Sequence, residues 1–96
     1  MNGKRNGKGK EYNEDEDLIY EGEYLKGKRN GMGKEYSYNG KLIFEGEFSN
    51  GEKHGKGKKY FYNGKLMFEG GYLNNKRWNG KGYDENGNII YELVNG

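Results

Sequence analysis

Residues 51 to 60 read GEKHGKGKKY, three glycines and five basic residues that include the chain's single histidine, His54, a composition able to cradle phosphate. A phosphate loop of the GxxxxGK[S/T] kind needs a hydroxyl for magnesium and a helix whose N–H groups face the anion. No Ser or Thr follows, and related stretches recur elsewhere in the chain, so the segment reads as a turn. Paired carboxylates come next, because Glu21/Glu23 and Glu45/Glu47 could act as acid and base on a glycosidic bond. On a strand each pair shares a face about 7 Å apart. That spacing follows from simple alternation and is repeated, which favours a solvated charged face opposite lysines. EDED at 14 to 17 lacks the spaced ligands and central glycine of a calcium loop. With two Ser, no Thr, no Cys and one His, neither an activated nucleophile nor a metal centre can be assembled. The inventory predicts no enzyme, no cofactor, no metal site and no small-molecule substrate.

The elements that carry these residues follow from composition. Of 96 residues, 33% are charged and only 30% hydrophobic, yet fifteen are aromatic, ten of them Tyr, and Pro and Cys are absent. Disordered chains are poor in aromatics and often rich in Pro, so this bias opposes disorder. A net charge of +2 is too small to imply a specific nucleic-acid partner. The lack of Cys excludes a disulfide framework. No long apolar run or signal-peptide core is present, so a soluble, cytoplasmic protein is expected.

A repeat organises the chain. GKRNGKGKEY begins at Gly3, GKRNGMGKEY at Gly27, GEKHGKGKKY at Gly51 and NKRWNGKGY at Asn75, each 24 residues after the last. Each is followed by a second element, LIYEGEYLK, LIFEGEFSN, LMFEGGYLN and a degraded IIYELVN. One domain of four units is expected, at 3–26, 27–50, 51–74 and 75–96, the last a C-terminal cap and the first an open half-unit.

Within a unit Leu42, Phe44, Gly46 and Phe48 alternate with Ile43, Glu45 and Glu47, the period of a strand with one apolar face. Nineteen glycines, at roughly 1 kcal/mol each relative to Ala, oppose helix. Asn-Gly at 39–40, 63–64 and 86–87 predicts type I′ hairpin turns, alternating with longer basic loops such as SNGEKH. The G-x-G pairs Gly31/Gly33, Gly55/Gly57 and Gly80/Gly82 are expected on one face, leaving room for rings such as Phe44 and Phe48 to lie over the backbone. The fold class is all-β: a single-layer, twisted antiparallel β-hairpin solenoid, held by contacts between sequence neighbours.

YEGEY at 20–24, FEGEF at 44–48 and FEGGY at 68–72, with NGMG at 30–33, HGKG at 54–57 and NGKG at 79–82, resemble the MORN repeat. The resemblance implies an elongated ribbon of hairpins used chiefly for protein contacts and assembly, with phospholipid contact in some members. Two departures stand out: a 24-residue unit, and Tyr36, Tyr38, Tyr60 and Tyr62 set one place later than the family pattern. A compensating residue before FEG suggests a bulge.

Two binding roles are therefore expected. Tyr36, Tyr38, Tyr60, Tyr62 and Trp78, with the open ribbon edge, would form a surface for a protein partner or a second copy of the chain. Alternatively Lys26, Lys28, Arg29, Lys53, Lys76 and Arg77, stacked along one edge, would meet an anionic phospholipid surface.

Overall fold

Alternating apolar and charged residues between turn-forming pairs leave the chain one economical solution, a meander of hairpins. The computed structural model describes residues 6–95. Its strands are β1 (Gly7–Tyr12), β2 (Leu18–Leu25), β3 (Lys28–Tyr36), β4 (Leu42–Ser49), β5 (Glu52–Tyr60), β6 (Leu66–Leu73), β7 (Lys76–Tyr83) and β8 (Ile89–Leu93). They form one antiparallel sheet in chain order, and no helix occurs among the described residues. Extents of 48 × 30 × 16 Å are those of a ribbon one sheet thick. The fold is thus the all-β, single-layer hairpin array that the alternation predicts.

The turns exchange the types expected of them. Positive φ at both central residues, the mark of type I′, occurs at Lys26-Gly27, Asn50-Gly51 and Asn74-Asn75. So the basic connections are the tight two-residue turns. At Asn39-Gly40 only the glycine has positive φ; Gly40 N–H donates to Ser37 O at 2.9 Å and Ser37 N–H to Lys41 O at 2.8 Å. That is a three-residue loop, a type I turn closed by a left-handed residue. The extra residue takes up the reversal, so Asn39 needs no positive φ. Phe61–Lys65 and Asp84–Asn88 repeat the pattern, and in Asn13–Asp17 Glu16 takes the glycine's place with φ 67°.

The bulge predicted before FEG is present. Glu35 pairs with Phe44 and Tyr36 with Leu42, which leaves Ile43 unpaired; Ile19, Met67 and Ile90 are skipped in the same way. A second slip was not foreseen. Gly22 pairs with Gly33 but Tyr24 with Arg29, so Asn30, Gly31 and Met32 oppose Glu23 alone. At Gly31/Gly33 and Gly55/Gly57 the two glycines of G-x-G therefore do not share a face, whereas Gly80 and Gly82 both lie under rings, Phe68 and Tyr91, as expected. A Cβ on Gly33 would meet the Tyr20 ring at 2.6 Å, whereas one on Gly31 would meet the Glu23 carboxylate.

Tyr20, Tyr24, Phe44, Phe48, Phe68 and Tyr72 form the buried core on one face, flanked by Tyr91 and Leu93. They run as an edge-to-face chain: Tyr20 meets Tyr24 and Phe48, and Phe44 meets Phe48 and Tyr72, with centroids 5.2 to 5.6 Å apart. Each such contact adds about 0.5–1.5 kcal/mol beyond area burial. Phe44 covers Gly57 as expected; Phe48 instead packs edge-on against its neighbours' rings.

Beneath the rings, Gly9, Gly22, Gly33, Gly46, Gly57, Gly70 and Gly80 pair across successive strands in one row. A Cβ on Gly46 would lie 2.5 Å from Lys56 O and 2.6 Å from Gly57 Cα, closer than any side chain tolerates. At Gly46, Gly70 and Gly80 the row is a requirement of backbone approach, and at Gly33 and Gly57 of the rings lying over them.

Candidate functional site

One residue along from the glycines, on the face opposite the rings, Lys10, Glu21, Lys34, Glu45, Lys58, Glu69, Lys81 and Glu92 stand in register across all eight strands. Odd strands carry Lys and even strands Glu, so every cross-strand neighbour has the opposite sign. Each exposed pair of this kind contributes about 0.2–1 kcal/mol, weakened by salt. Of the carboxylates weighed as acid and base, Glu21 and Glu45 are therefore members of an alternating charged ladder, while Glu23 and Glu47 accept the backbone N–H groups of Met32 and Lys56 at 3.3 and 3.1 Å. A groove floored by Gly46, Gly57 and Gly70, about 540 Å³ in volume, lies among Met32, Lys56, Lys58 and Asn79.

The bulges decide where the displaced tyrosines go. Tyr36 and Tyr60 turn to the ladder face, where their hydroxyls donate to Glu21 and Glu45. Burial first, and then the neighbouring carboxylate, pushes each phenol up to about 12. Tyr38 and Tyr62 lie two residues on, 72% and 65% exposed. Asp17, Leu18, Tyr36, Tyr38 and Gly40 line one hollow of about 430 Å³; Leu42, Tyr60, Tyr62, Asn63 and Gly64 line a second of the same volume. Four of the five aromatic candidates thus meet in two matching pairs beside the three-residue loops. Trp78 stands apart on β7, exposed, in the position held by Asn30 and His54 in the preceding units.

The basic candidates divide. Lys26, Lys28 and Lys76 are exposed at the two-residue turns. Arg29, Lys53 and Arg77, the second residues of β3, β5 and β7, instead turn onto the ring face, 4.1 Å from the Tyr20 centroid, 4.3 Å from Phe44 and 5.1 Å from Phe68. The type I′ turns are only two residues long, so the second residue after each is already inside the ladder of hydrogen bonds. Arg29 donates to both Glu11 oxygens at 2.9 Å and to Glu35 at 2.8 Å, and Lys53 lies 3.2 Å from Glu35. Burial alone would lower the Arg29 pKa, but the two carboxylates outweigh it and hold it above its ordinary value.

Sequence reasoning passed over Glu11, Glu35 and Lys59, although their 24-residue spacing was a readable signal. Lys59 is half-buried, with its pKa lowered by burial and by Lys53. His54 is exposed on β5.

No curated protein matches the chain. The MORN repeat family model matches residues 1–17, 20–41 and 44–65, and a MORN repeat variant matches residues 79–94. Matched segments open at Tyr20 and Phe44, the first rings of β2 and β4, and together they take in most of the sequence. With the repeat, the hairpin sheet and the ring-over-glycine packing all in agreement, the chain belongs to the MORN repeat family.

Proposed function

We propose that this array is a non-catalytic, cytoplasmic protein-interaction and assembly module that seats a protein partner in the tyrosine-lined hollows beside its three-residue loops. MORN repeats are commonly protein- or membrane-binding modules of a non-enzymatic repeat type. The observation that carries the reading is the repetition of one hollow, with exposed Tyr38 and Tyr62 standing alike over Leu18 and Leu42. Stiff rings with a polar edge give large contact area at small entropic cost, which is why binding hot spots favour them. A partner spanning both hollows would gain by bivalency what one hollow cannot supply.

The test is affinity capture by the whole chain, with captured proteins identified by mass and titrated back as purified components. Joint Tyr38→Ser and Tyr62→Ser should reduce affinity roughly a hundredfold, on the scale of two hot-spot residues. Unchanged affinity in that variant would remove the hollows from the reading. Self-assembly is tested by light scattering, with Trp78→Ala expected to weaken any dimer.

Contact with an anionic membrane surface is a second reading, supported by exposed Lys26, Lys28 and Lys76 at the two-residue turns. No helix among the described residues is long and apolar enough to cross a membrane. Sedimentation with acidic vesicles should fall when these three lysines become Ser; unchanged sedimentation ends the idea.

A further inference from the structure

Arg29, Lys53 and Arg77 are the same position in three successive units, each over the ring of the preceding even strand. The residue eighteen places earlier supplies the counter-charge. For Arg29 it is Glu11, held by two parallel hydrogen bonds at 2.9 Å. For Lys53 it is Glu35, at 3.2 Å. For Arg77 it is Lys59, so an ammonium stands where two earlier units place a carboxylate.

Among the described residues no carboxylate forms an ion pair in its place. Arg77 donates to the Tyr91 hydroxyl at 2.7 Å and directs Nη2 toward Met67 Sδ at 3.6 Å, both uncharged acceptors. Neither Arg77 nor Lys59 forms an ion pair among the described residues. Glu35, whose field reaches Lys59, is already shared between Arg29 and Lys53. Burial and the neighbouring Lys53 both lower the Lys59 pKa, which is what a cation lacking its counter-charge displays.

We propose that Lys59 and Arg77, flanked by Phe68, Tyr72 and Tyr91, form an anion-receiving site that takes a carboxylate side chain from an acidic segment of a protein partner. This rests on the protein-binding reading above and names the chemistry of the partner. Charge complementarity identifies the occupant: a carboxylate is the group that the same cations hold in the two preceding units. A guanidinium would donate two parallel bonds to it, as Arg29 donates to Glu11. Of these rings Tyr91 is only partly buried, and it would offer contact area to the rest of a polypeptide, which a free phosphate leaves unused.

The experiment titrates the labelled full chain with blocked hexaglutamate, hexaglutamine and inorganic phosphate, read by side-chain NMR. Hexaglutamate should shift the Arg77 Nε–H and Lys59 side-chain signals at concentrations where hexaglutamine and phosphate do not. Lys59→Glu restores the carboxylate from within. It should raise the melting temperature while weakening hexaglutamate roughly tenfold or more, a combination that unfolding cannot mimic. The proposal is overturned if Lys10, Lys34 and Lys81 respond as strongly, if Lys59→Glu keeps full affinity, or if phosphate matches the peptide. A dimer dissolved by Lys59→Glu would make a second copy the occupant, and it too overturns the proposal. Partner affinity kept in Lys59→Glu but lost in the Tyr38/Tyr62 variant removes the anion site alone. The reverse pattern removes the hollows and leaves the anion site standing.

Discussion

Glu11 and Arg29 reach across β2 and meet through two parallel hydrogen bonds of 2.9 Å, above the ring of Tyr20. This joins two odd strands that share no backbone hydrogen bonds, so a side-chain pair does what a second layer does in thicker folds. Both groups are partly exposed, so solvent screening discounts their worth. Arg29→Met should cost about 1–2 kcal/mol in urea unfolding, and Arg29→Lys nearly as much, because an ammonium cannot reproduce the fork.

Glu16 holds φ 67° where the other three-residue loops place Gly40, Gly64 and Gly87. A non-glycine residue pays steric strain there of about 1–2 kcal/mol, partly offset in glycine by the larger entropy of its unfolded chain. Glu16→Gly should therefore raise stability by about 0.5–1 kcal/mol. A thermal melt that does not move would show the strain is relieved locally, for instance by Asn13 Oδ1, which accepts the N–H groups of Asp15 and Asp17.

Gly57 lies beneath the rings, where a Cβ would be 2.7 Å from Phe44 and 3.0 Å from Tyr72. Gly57→Ala should destabilise by about 1–3 kcal/mol, the usual range for overpacking. Hydrogen exchange should show the loss concentrated in β4 to β6, since each strand contacts chiefly its neighbours.

Alkali should unfold the array in a defined window. The phenols of Tyr20, Tyr36 and Tyr60 are pushed up to about 12, by burial first in each case. A group with a raised folded pKa contributes stability that is full below its unfolded value near 10 and is lost as pH rises through the folded one. Stability should hold to about pH 10 and fall toward pH 12, with tyrosinate absorbance appearing together with loss of the β-sheet signal.

Acid acts on a different element. Backbone hydrogen bonds from Asn88 and Asn86 to the Asp84 carboxylate hold its pKa below the ordinary value. A depressed carboxylate contributes above its unfolded pKa and ceases to as pH falls through the folded one. Amide exchange at Asn86 and Asn88 should accelerate at low pH, and Asp84→Asn should remove most of that pH dependence.

The architecture was legible because it rests on local signals: a strict period, alternation within strands and turn residues between them. Even the bulge at Ile43 could be counted from one surplus residue. The slip opposite Glu23 could not, because its cause is the length of the facing strand; and that slip decided which way Gly31 points. Turn types were misassigned for a related reason, since Asn-Gly fits either a two- or a three-residue loop and the flanking pairs choose. For the binding surfaces, sequence grouped residues by charge alone. Lys28 and Arg29 are adjacent, yet one is exposed at a turn while the other is locked between two carboxylates over a ring.

Leu93 pairs with Gly80, which places it where β4 and β6 have Gly46 and Gly70. At both of those glycines an added Cβ would run into the backbone of the following strand, at 2.5 Å from Lys56 O and 2.1 Å from Asn79 O. A leucine there has its side chain packed against the core and leaves no seat for another strand in that register. One methylene would thus oppose growth of the hairpin lattice in that register, and Leu93→Gly is the substitution expected to make this border more adhesive.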